Sequence, residues 1–553
     1  MLKKSSRSRR FGVITLTLAA IFIASLAACG GGGGSGSGGG CVTGGPGSSA
    51  DAPYVICTAQ DLADLADRVN IGPEPYGPYY KLGADIDLSG YSSWTPIGDS
   101  VGNRFRGHFD GGGKVISGLT INAPALDYAG LFGRIDGGSV ANLGVEIAGI
   151  TAKSYIGGIA GHIIGGDISN SHVTGDIASS GDYVGGIAGA VENGGISNCH
   201  TTGNVSSGAA AGYVGGIAGS INESNISNCY ATGNVTGNGS VGGIAGVVIG
   251  GNISNCYSTG GILDGGAGSV GAGGIAGSVS DGSISNCHAT GNVTGAGGGG
   301  TIIVVVGGIA GIIIESSISN CHATGNVTGA GGGTIIVAVG GIAGMGQGSN
   351  VSNCHVAGDV TVSGDLVGGI AGMLVSGNII NCYATGDVSG DDGVGGVAGW
   401  IALSSVSNCY ATGIVTGNDG VGGIAGVVAT SAIERCVALN PVIVRASGST
   451  GTDFGRVAGS ISSSFLLGNA AFDEMTVINP AWTTANVTSD PMDIHGGDID
   501  KATAKLQDLY SSLLFIWYGG PWKWGADIKP SYPLPVLNWQ TAEQIPDLPT
   551  HLQ

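Results

Sequence analysis

Nine cysteines and nine aromatic rings recur in fixed phase along this chain, and both sets could do chemistry. Cys199, Cys229, Cys256, Cys287, Cys321, Cys354, Cys382, Cys409 and Cys436 each fall 14 residues after the first glycine of a Gly-Gly-Ile-Ala-Gly core (Gly-Gly-Val-Ala-Gly at 395). An earlier copy of the core has Ser171 at that place. A column of thiols could hold a soft metal, form bridges or fill a core. The residues after it read His172, His200, Tyr230, Tyr257, His288, His322, His355, Tyr383 and Tyr410. In an extended strand each ring points away from its cysteine, so Cys–His pairs cannot converge on one metal. Bridges between stacked units are geometrically strained, because neighbouring Cβ atoms lie further apart than a disulfide prefers. The cysteines read as a buried, free structural column and the rings as a repeated outward stripe. Cys41 and Cys57, outside that column, are the better disulfide candidate.

Catalytic constellations are scarce. Glycoside hydrolysis needs two facing carboxylates, and Asp391-Asp392, the adjacent pair in the array, reads as a solvated turn. The chain has no His-Glu-x-x-His motif. Nor does it have a nucleophile elbow with a plausible acid–histidine partner. A phosphate loop occurs once before a helix, whereas this glycine core occurs ten times. Polysaccharide lyases on solenoids need a cation beside the reacting carbon, yet no Lys or Arg occurs between Ser154 and Glu434. The expectation is no enzyme, no cofactor and no metal.

The elements that must position these columns follow from the period. Copies of the core start at Gly157, 185, 215, 242, 273, 307, 340, 368, 395 and 422, and unit length varies only between each cysteine and the next Gly-Gly. A fixed half and a tolerant loop are the signature of a solenoid. Ile217, Gly219 and Ile221 alternate with Ala218 and Ser220, and Cys229, Ala231, Gly233 and Val235 alternate with Tyr230, Thr232 and Asn234. Both are strand patterns. Ile226 is out of phase with Cys229, so the chain must bend near Asn228, a residue type that tolerates the left-handed conformation. Asn198, Asn228, Asn255, Asn286, Asn320, Asn353, Asn381 and Asn408 recur there and are expected to form an amide ladder. The fold expected is all-β: a right-handed parallel β-helix of about ten coils, two or three strands each, with N- and C-terminal capping segments. The two long inserts, Gly295–Val306 and Gly329–Val339, carry uncharged runs of high β-propensity, fall in consecutive units and are expected to pair with each other as an extra two-stranded ladder.

Composition narrows function. The 553 residues include 113 glycines, and 10% are charged, with a net charge of −19. The N-terminal 28 residues carry Lys3, Lys4, Arg7, Arg9 and Arg10 and no acid, ahead of the apolar run from Phe11. That is an export signal, and without it the remainder is more acidic still. Nucleic acid is excluded as a partner, because binding it requires clustered cations. Leu26-Ala27-Ala28-Cys29 resembles a lipobox, which makes Cys29 the lipidation site, and Gly30–Gly40 reads as a flexible tether.

The pattern Gly-Gly-Ile-Ala-Gly…Ile-Ser-Asn-Cys-Tyr-Ala-Thr-Gly-Asn-Val resembles the GLUG motif of bacterial surface and secreted proteins. Pro53–Leu62, Tyr80–Leu88, Trp94–Gly98 and Phe105–Gly113 resemble the segment that precedes such arrays, and Tyr532–Trp539 resembles their usual ending. The resemblance implies adhesin-like display or an accessory part of a peptidase. The organisation expected is a signal peptide (1–28), tether (29–40), N-terminal cap (41–130), repeat β-helix (131–460) and C-terminal cap (461–553), with a helix over 500–515. The functional expectation is an exported lipoprotein, anchored in a bacterial outer membrane or cell surface by its lipid. Its role would be structural or adhesive, toward an extracellular macromolecule or cell-surface glycan. The alternative is a carbohydrate-active enzyme or polysaccharide-binding subunit on the same fold.

Overall fold

In the unit beginning at Tyr213 the chain makes five short strands: Tyr213–Gly215, Ala218–Asn222, Asn225–Ser227, Tyr230–Ala231 and Val235–Gly237. Each pairs in parallel with its counterpart one unit on, for example Ile226 with Ile253 and Val235 with Ile262. The fold, seen in a computed structural model, is therefore a parallel β-helix. The structure describes residues 46–72, 76–208, 212–265, 270–296, 303–330, 336–446, 451, 453–478, 493–505 and 522–553. Parallel sheets of 12, 11 and 10 strands form three runs of each coil, and a 28-stranded sheet bends through the other two. The two or three strands per unit expected from alternation become five, because every corner interrupts a run that alternation alone would continue.

The stack has about 14 turns rather than ten. The extra turns come from the segment expected to be a cap (41–130) and from residues 131–156 that follow it. Strands Tyr54–Ile56, Tyr79–Leu82, His108–Asn122 and Ser139–Thr151 join the same bent sheet, each in parallel register with the next. Their inward residues, among them Tyr80, Phe109 and Ile116, are large, so the glycine–cysteine signature that marks later coils is missing. The helix Ala59–Asn70 lies between the first two of these strands. Thr58 and Asp61 form a capping box at its start, and Leu62, Leu65, Ala66 and Val69 are buried in the common core.

Glycine pairs press successive coils together. A Cβ at Gly216 would overlap the Gly243 carbonyl oxygen and the Ala231 side chain, which explains the Gly-Gly of each unit. The asparagine corner takes the left-handed backbone: Asn198, Asn228, Asn255, Asn286, Asn320, Asn353, Asn381 and Asn408 all have φ between 53° and 56°. Amide contacts run Asn320 to Asn286, Asn353 to Asn320, Asn381 to Asn353 and Asn408 to Asn381 at 3.1–3.2 Å. Arg435 keeps the same φ of 54°, and its Nε donates to Asn408 Oδ1 at 3.0 Å.

The nine cysteines of the column are buried and free, and they do more than fill space. The Cys199 N–H donates to Cys229 Sγ, Cys229 N–H to Cys256 Sγ, Cys256 N–H to Cys287 Sγ and Cys382 N–H to Cys409 Sγ, each at 3.4 Å. At the column's ends Ser171 Oγ accepts from Leu143 N (3.1 Å) and Asn469 Oδ1 accepts from Cys436 N (2.9 Å). The position thus requires a small side chain ending in an acceptor atom, since a buried N–H without a partner is costly. Burial pushes the thiols of Cys321, Cys354 and Cys409 well above the ordinary range, so they stay protonated and unreactive. Cys57 is disulfide-bonded. Cys41, its expected partner, and Cys29 both lie outside the described residues.

The two inserts pair over their described parts, with Ile303–Gly307 in register with Ile336–Gly340, but as neighbours within the ten-stranded sheet of the coils rather than as a separate two-stranded ladder. Of the helix expected over 500–515, Lys501–Ala504 is helical, with Asp500 as N-cap; residues 506–521 lie outside the described set. No helix among the described residues is long and apolar enough to cross a membrane.

Candidate functional site

The ring stripe is a continuous stack. Strand register sets His172, His200, Tyr230, Tyr257, His288, His322, His355, Tyr383 and Tyr410 one per coil. Neighbouring ring centroids are 4.6–5.1 Å apart, with planes within 11° of parallel. The strand spacing imposes that separation and suits aromatic stacking. At one end the His172 ring covers Gly144, where a Cβ would have no room; at the other, Tyr410 is followed by Val437.

The stripe was expected to face outward along its whole length. It does so, half-exposed, from His172 to His288. Beyond that His322, His355, Tyr383 and Tyr410 are buried beneath the C-terminal residues. Trp539 packs on His322 and His355 (5.7 and 5.6 Å between centroids), and Trp522 packs on Tyr383 and Tyr410. Gln540 donates to the Tyr383 hydroxyl at 2.6 Å, Tyr410 donates to the Pro535 carbonyl at 2.8 Å, and Trp522 Nε1 donates to Asn381 Oδ1 at 3.2 Å. The C-terminal segment expected to cap an end therefore lies along a flank. Its aromatic and amide groups complement a ring column that a strand edge could not satisfy. The segment reaches the last coils through His551, whose Nε2 is 2.7 Å from the Leu439 carbonyl oxygen.

Burial under this clasp changes the histidines. Loss of solvent, reinforced by His288, holds His322 down to about 4. His355 is fully enclosed and lies well below the ordinary imidazole range, with His322 adding to the effect. Desolvation also lowers His200 and His288 on the open half. His200 and His288 are therefore mostly neutral at pH 7, and the covered His322 and His355 remain neutral well into acid.

The first coils hold a different arrangement that no sequence period signalled. Tyr79, His108 and Ser139 stand in register on three successive outward strands, with Lys81, Asp110 and Ala141 beside them. A cavity of about 230 Å³ opens over them, walled by Ala50 and Pro53. The Tyr79 and His108 rings are 4.7 Å apart, and His108 Nδ1 is 2.9 Å from Ser139 Oγ. Asp110 pairs with Lys81 at 3.2 Å and accepts from Asn142 Nδ2 and Gly112 N, each at 2.9 Å. Those bonds outweigh partial burial and hold its carboxyl below the usual range.

Arg104 and Arg106 both bond Asp136 Oδ2, at 3.1 and 2.9 Å. Asp391 and Asp392, expected in a turn, divide: Asp391 Oδ1 accepts from Asn418 Nδ2 at 3.1 Å, and Asp392 begins a strand in register with Asp419. Burial and the neighbouring Asp365, Asp419 and Asp391 push the Asp392 carboxyl up. No three His, Cys, Asp or Glu side chains among the described residues converge as metal ligands.

Four stretches, residues 153–178, 210–236, 268–294 and 304–328, match the family described as the GLUG motif. A "Putative Gly-rich membrane protein" of Evansella cellulosilytica is 40% identical over 106 residues, 18% of this chain and 12% of that protein. Halomucin of Haloquadratum walsbyi is 32% identical over 118 residues, 20% of this chain and 1% of that protein. The chain thus spans a small fraction of either relative's length. A crystal structure of a "putative immunoglobulin A1 protease" from Bacteroides ovatus aligns over 89% of this chain and 94% of that one. Its identity is 18% and its TM-score 0.18, a superposition too loose to bear on function.

Proposed function

We propose that this chain of GLUG repeats is an exported protein, anchored through lipid on Cys29, whose β-helix serves a structural or adhesive role. The observation that carries the reading is the outward face itself, where one equivalent residue per coil repeats in register over most of the stack. Many equivalent weak contacts give avidity without a single strong pocket. Catalysis instead needs unlike groups with shifted pKa values converging on one centre. In the described repeat coils the histidines from His172 on stand in a row with their rings stacked on each other rather than gathered around a reacting atom, while His162, in the first unit, stacks on Tyr155 and lies 3.2 Å from Glu192. The name of the Evansella relative agrees with a place at a membrane, and the basic, apolar leader with export.

Excision of whole coils tests the role. Cells displaying chains shortened by two, four and six coils should adhere progressively less to protein- and glycan-coated surfaces. Complete loss on removal of one particular coil would contradict the reading. So would polysaccharide turnover abolished by a single acid-to-amide change. For the anchor, Cys29→Ser should move the protein from the membrane to the soluble fraction, and unchanged retention would mean that the leader itself is the anchor.

A further inference from the structure

The geometry points to the groove over the first coils, floored by Tyr79 and His108 and edged by Lys81, Asp110, Ser139 and Asn142, as a binding site for one neutral sugar unit of a glycan.

Four features of the groove lead there. The cavity of about 230 Å³ is below the roughly 300–1,000 Å³ of sites for drug-sized ligands, so it suits a single ring rather than an extended oligomer. Its lining is largely apolar and includes the Tyr79–His108 ring pair, 4.7 Å between centroids, and a pyranose offers C–H groups to such a surface. Its edge mixes donors and acceptors. Lys81 Nζ and Asn142 Nδ2 each bond one oxygen of Asp110, at 3.2 and 2.9 Å. That leaves further N–H groups and carboxylate lone pairs for vicinal hydroxyls. Finally, Lys81 and Asp110 cancel each other's charge, so a phosphate or carboxylate ligand would meet no net positive field.

Among the described residues the groove has no counterpart later in the array. The column that begins Tyr79, His108 and Ser139 continues as Asp167, Gly195, Asn225 and Asn252, where Asn252 Nδ2 donates to Asn225 Oδ1 at 2.9 Å. Rings give way to a polar ladder bonded to itself. The step from Tyr79 and His108 down to Ser139 and Ala141 creates the depression. Although His108 and Ser139 are paired, Asp110 is committed to Lys81, Asn142 and Gly112. The set therefore has the composition of a binding site rather than of an activated nucleophile.

The test is native electrophoresis of the full chain through gels cast with mannan, arabinogalactan or dextran. At least one polysaccharide should retard the protein. Lys81→Met and Tyr79→Ala should each weaken that retardation about tenfold or more in apparent Kd, while Lys153→Met, the same loss of charge at an exposed lysine outside the groove, leaves it unchanged. Lys81 is exposed, so Lys81→Met reports on binding rather than on folding, and equal melting temperatures would verify that. No retardation by any of the three, or retardation untouched by both groove substitutions, would overturn the proposal. Retardation lost on coil excision but not with the groove variants would leave the multivalent reading standing and the groove refuted.

Discussion

His200 and His355 occupy the same register position five coils apart, yet one is half-exposed and the other is sealed under Trp539 and Gln540. Their local sequences, Asn-Cys-His-Thr and Asn-Cys-His-Val, are nearly the same. The difference lies wholly in a segment more than 150 residues further along the chain. The repeat therefore dictates where a ring stands, and long-range docking dictates whether that ring is surface or core. A uniform column becomes two regions, one available to partners and one committed to holding the C-terminus.

The largest expected effect comes from removing the clasp. Ending the chain after residue 521 deletes the buried Trp522, Tyr532, Leu534, Val536, Leu537, Ile545 and Leu552. At about 1.5–3 kcal/mol for each large buried side chain, the loss is on the order of 10 kcal/mol of apolar burial. Dye binding should rise and the denaturation midpoint of the coils around Tyr383 should fall, while those around Tyr230 change little. Equal loss in both regions would erase the distinction between them.

Acid should loosen the clasp in the same place. His322 and His355 have folded pKa values below the unfolded value, so the unfolded state binds more protons as pH falls. Their stabilisation is complete above about pH 6.5 and is withdrawn as pH drops from there toward 4. At about 1.4 kcal/mol for each pH unit between the two values, His322 alone gives up about 3 kcal/mol by pH 4. Tryptophan fluorescence should report the release of Trp522 and Trp539. A flat profile from pH 7 to pH 4 would contradict the burial.

Point substitutions sharpen the contrast further. His355→Ala should cost about 3 kcal/mol, as for other buried rings, whereas His200→Ala should stay within about 0.5 kcal/mol, as at ordinary surface positions. The cysteine column runs through both regions and should not distinguish them. Cys256→Ala and Cys409→Ala each leave one buried N–H unpaired and should cost a similar 1–3 kcal/mol, roughly. Serine at either place should restore most of that, as Ser171 does in the earlier unit. Urea titration of the four alanine variants decides.

How much of this was legible depended on whether side chains or backbone alone define a position. The asparagine–cysteine corner could be read because amides there bond to amides and a small acceptor must follow, which restricts residue type. A second corner has the same left-handed backbone at Asn193, Glu223, Asp281, Glu315, Ser376, Leu403 and Thr430, with φ from 47° to 55°, and it left no such mark. Leu403 is 63% exposed, so little but the backbone is constrained. The serines after that corner repeat the cysteine device, Ser316 N–H donating to Ser349 Oγ and Ser404 N–H to Ser431 Oγ at 3.0 Å, but glycines interrupt the series. The early coils escaped notice because large core residues replaced the glycine signature. The clasp escaped because the spacing of Trp522 and Trp539 follows no period. The groove at Tyr79 and His108 escaped because its residues belong to no repeat.

Site-resolved acylation of histidines by diethyl pyrocarbonate, read by mass spectrometry on the native chain at pH 7, tests the two-region account most directly. His172, His200 and His288 should react at rates typical of half-exposed imidazoles. His322 and His355 should be protected at least tenfold, and removal of residues 522–553 should abolish that protection. Reaction of His355 in the full chain as fast as His200 would contradict the account.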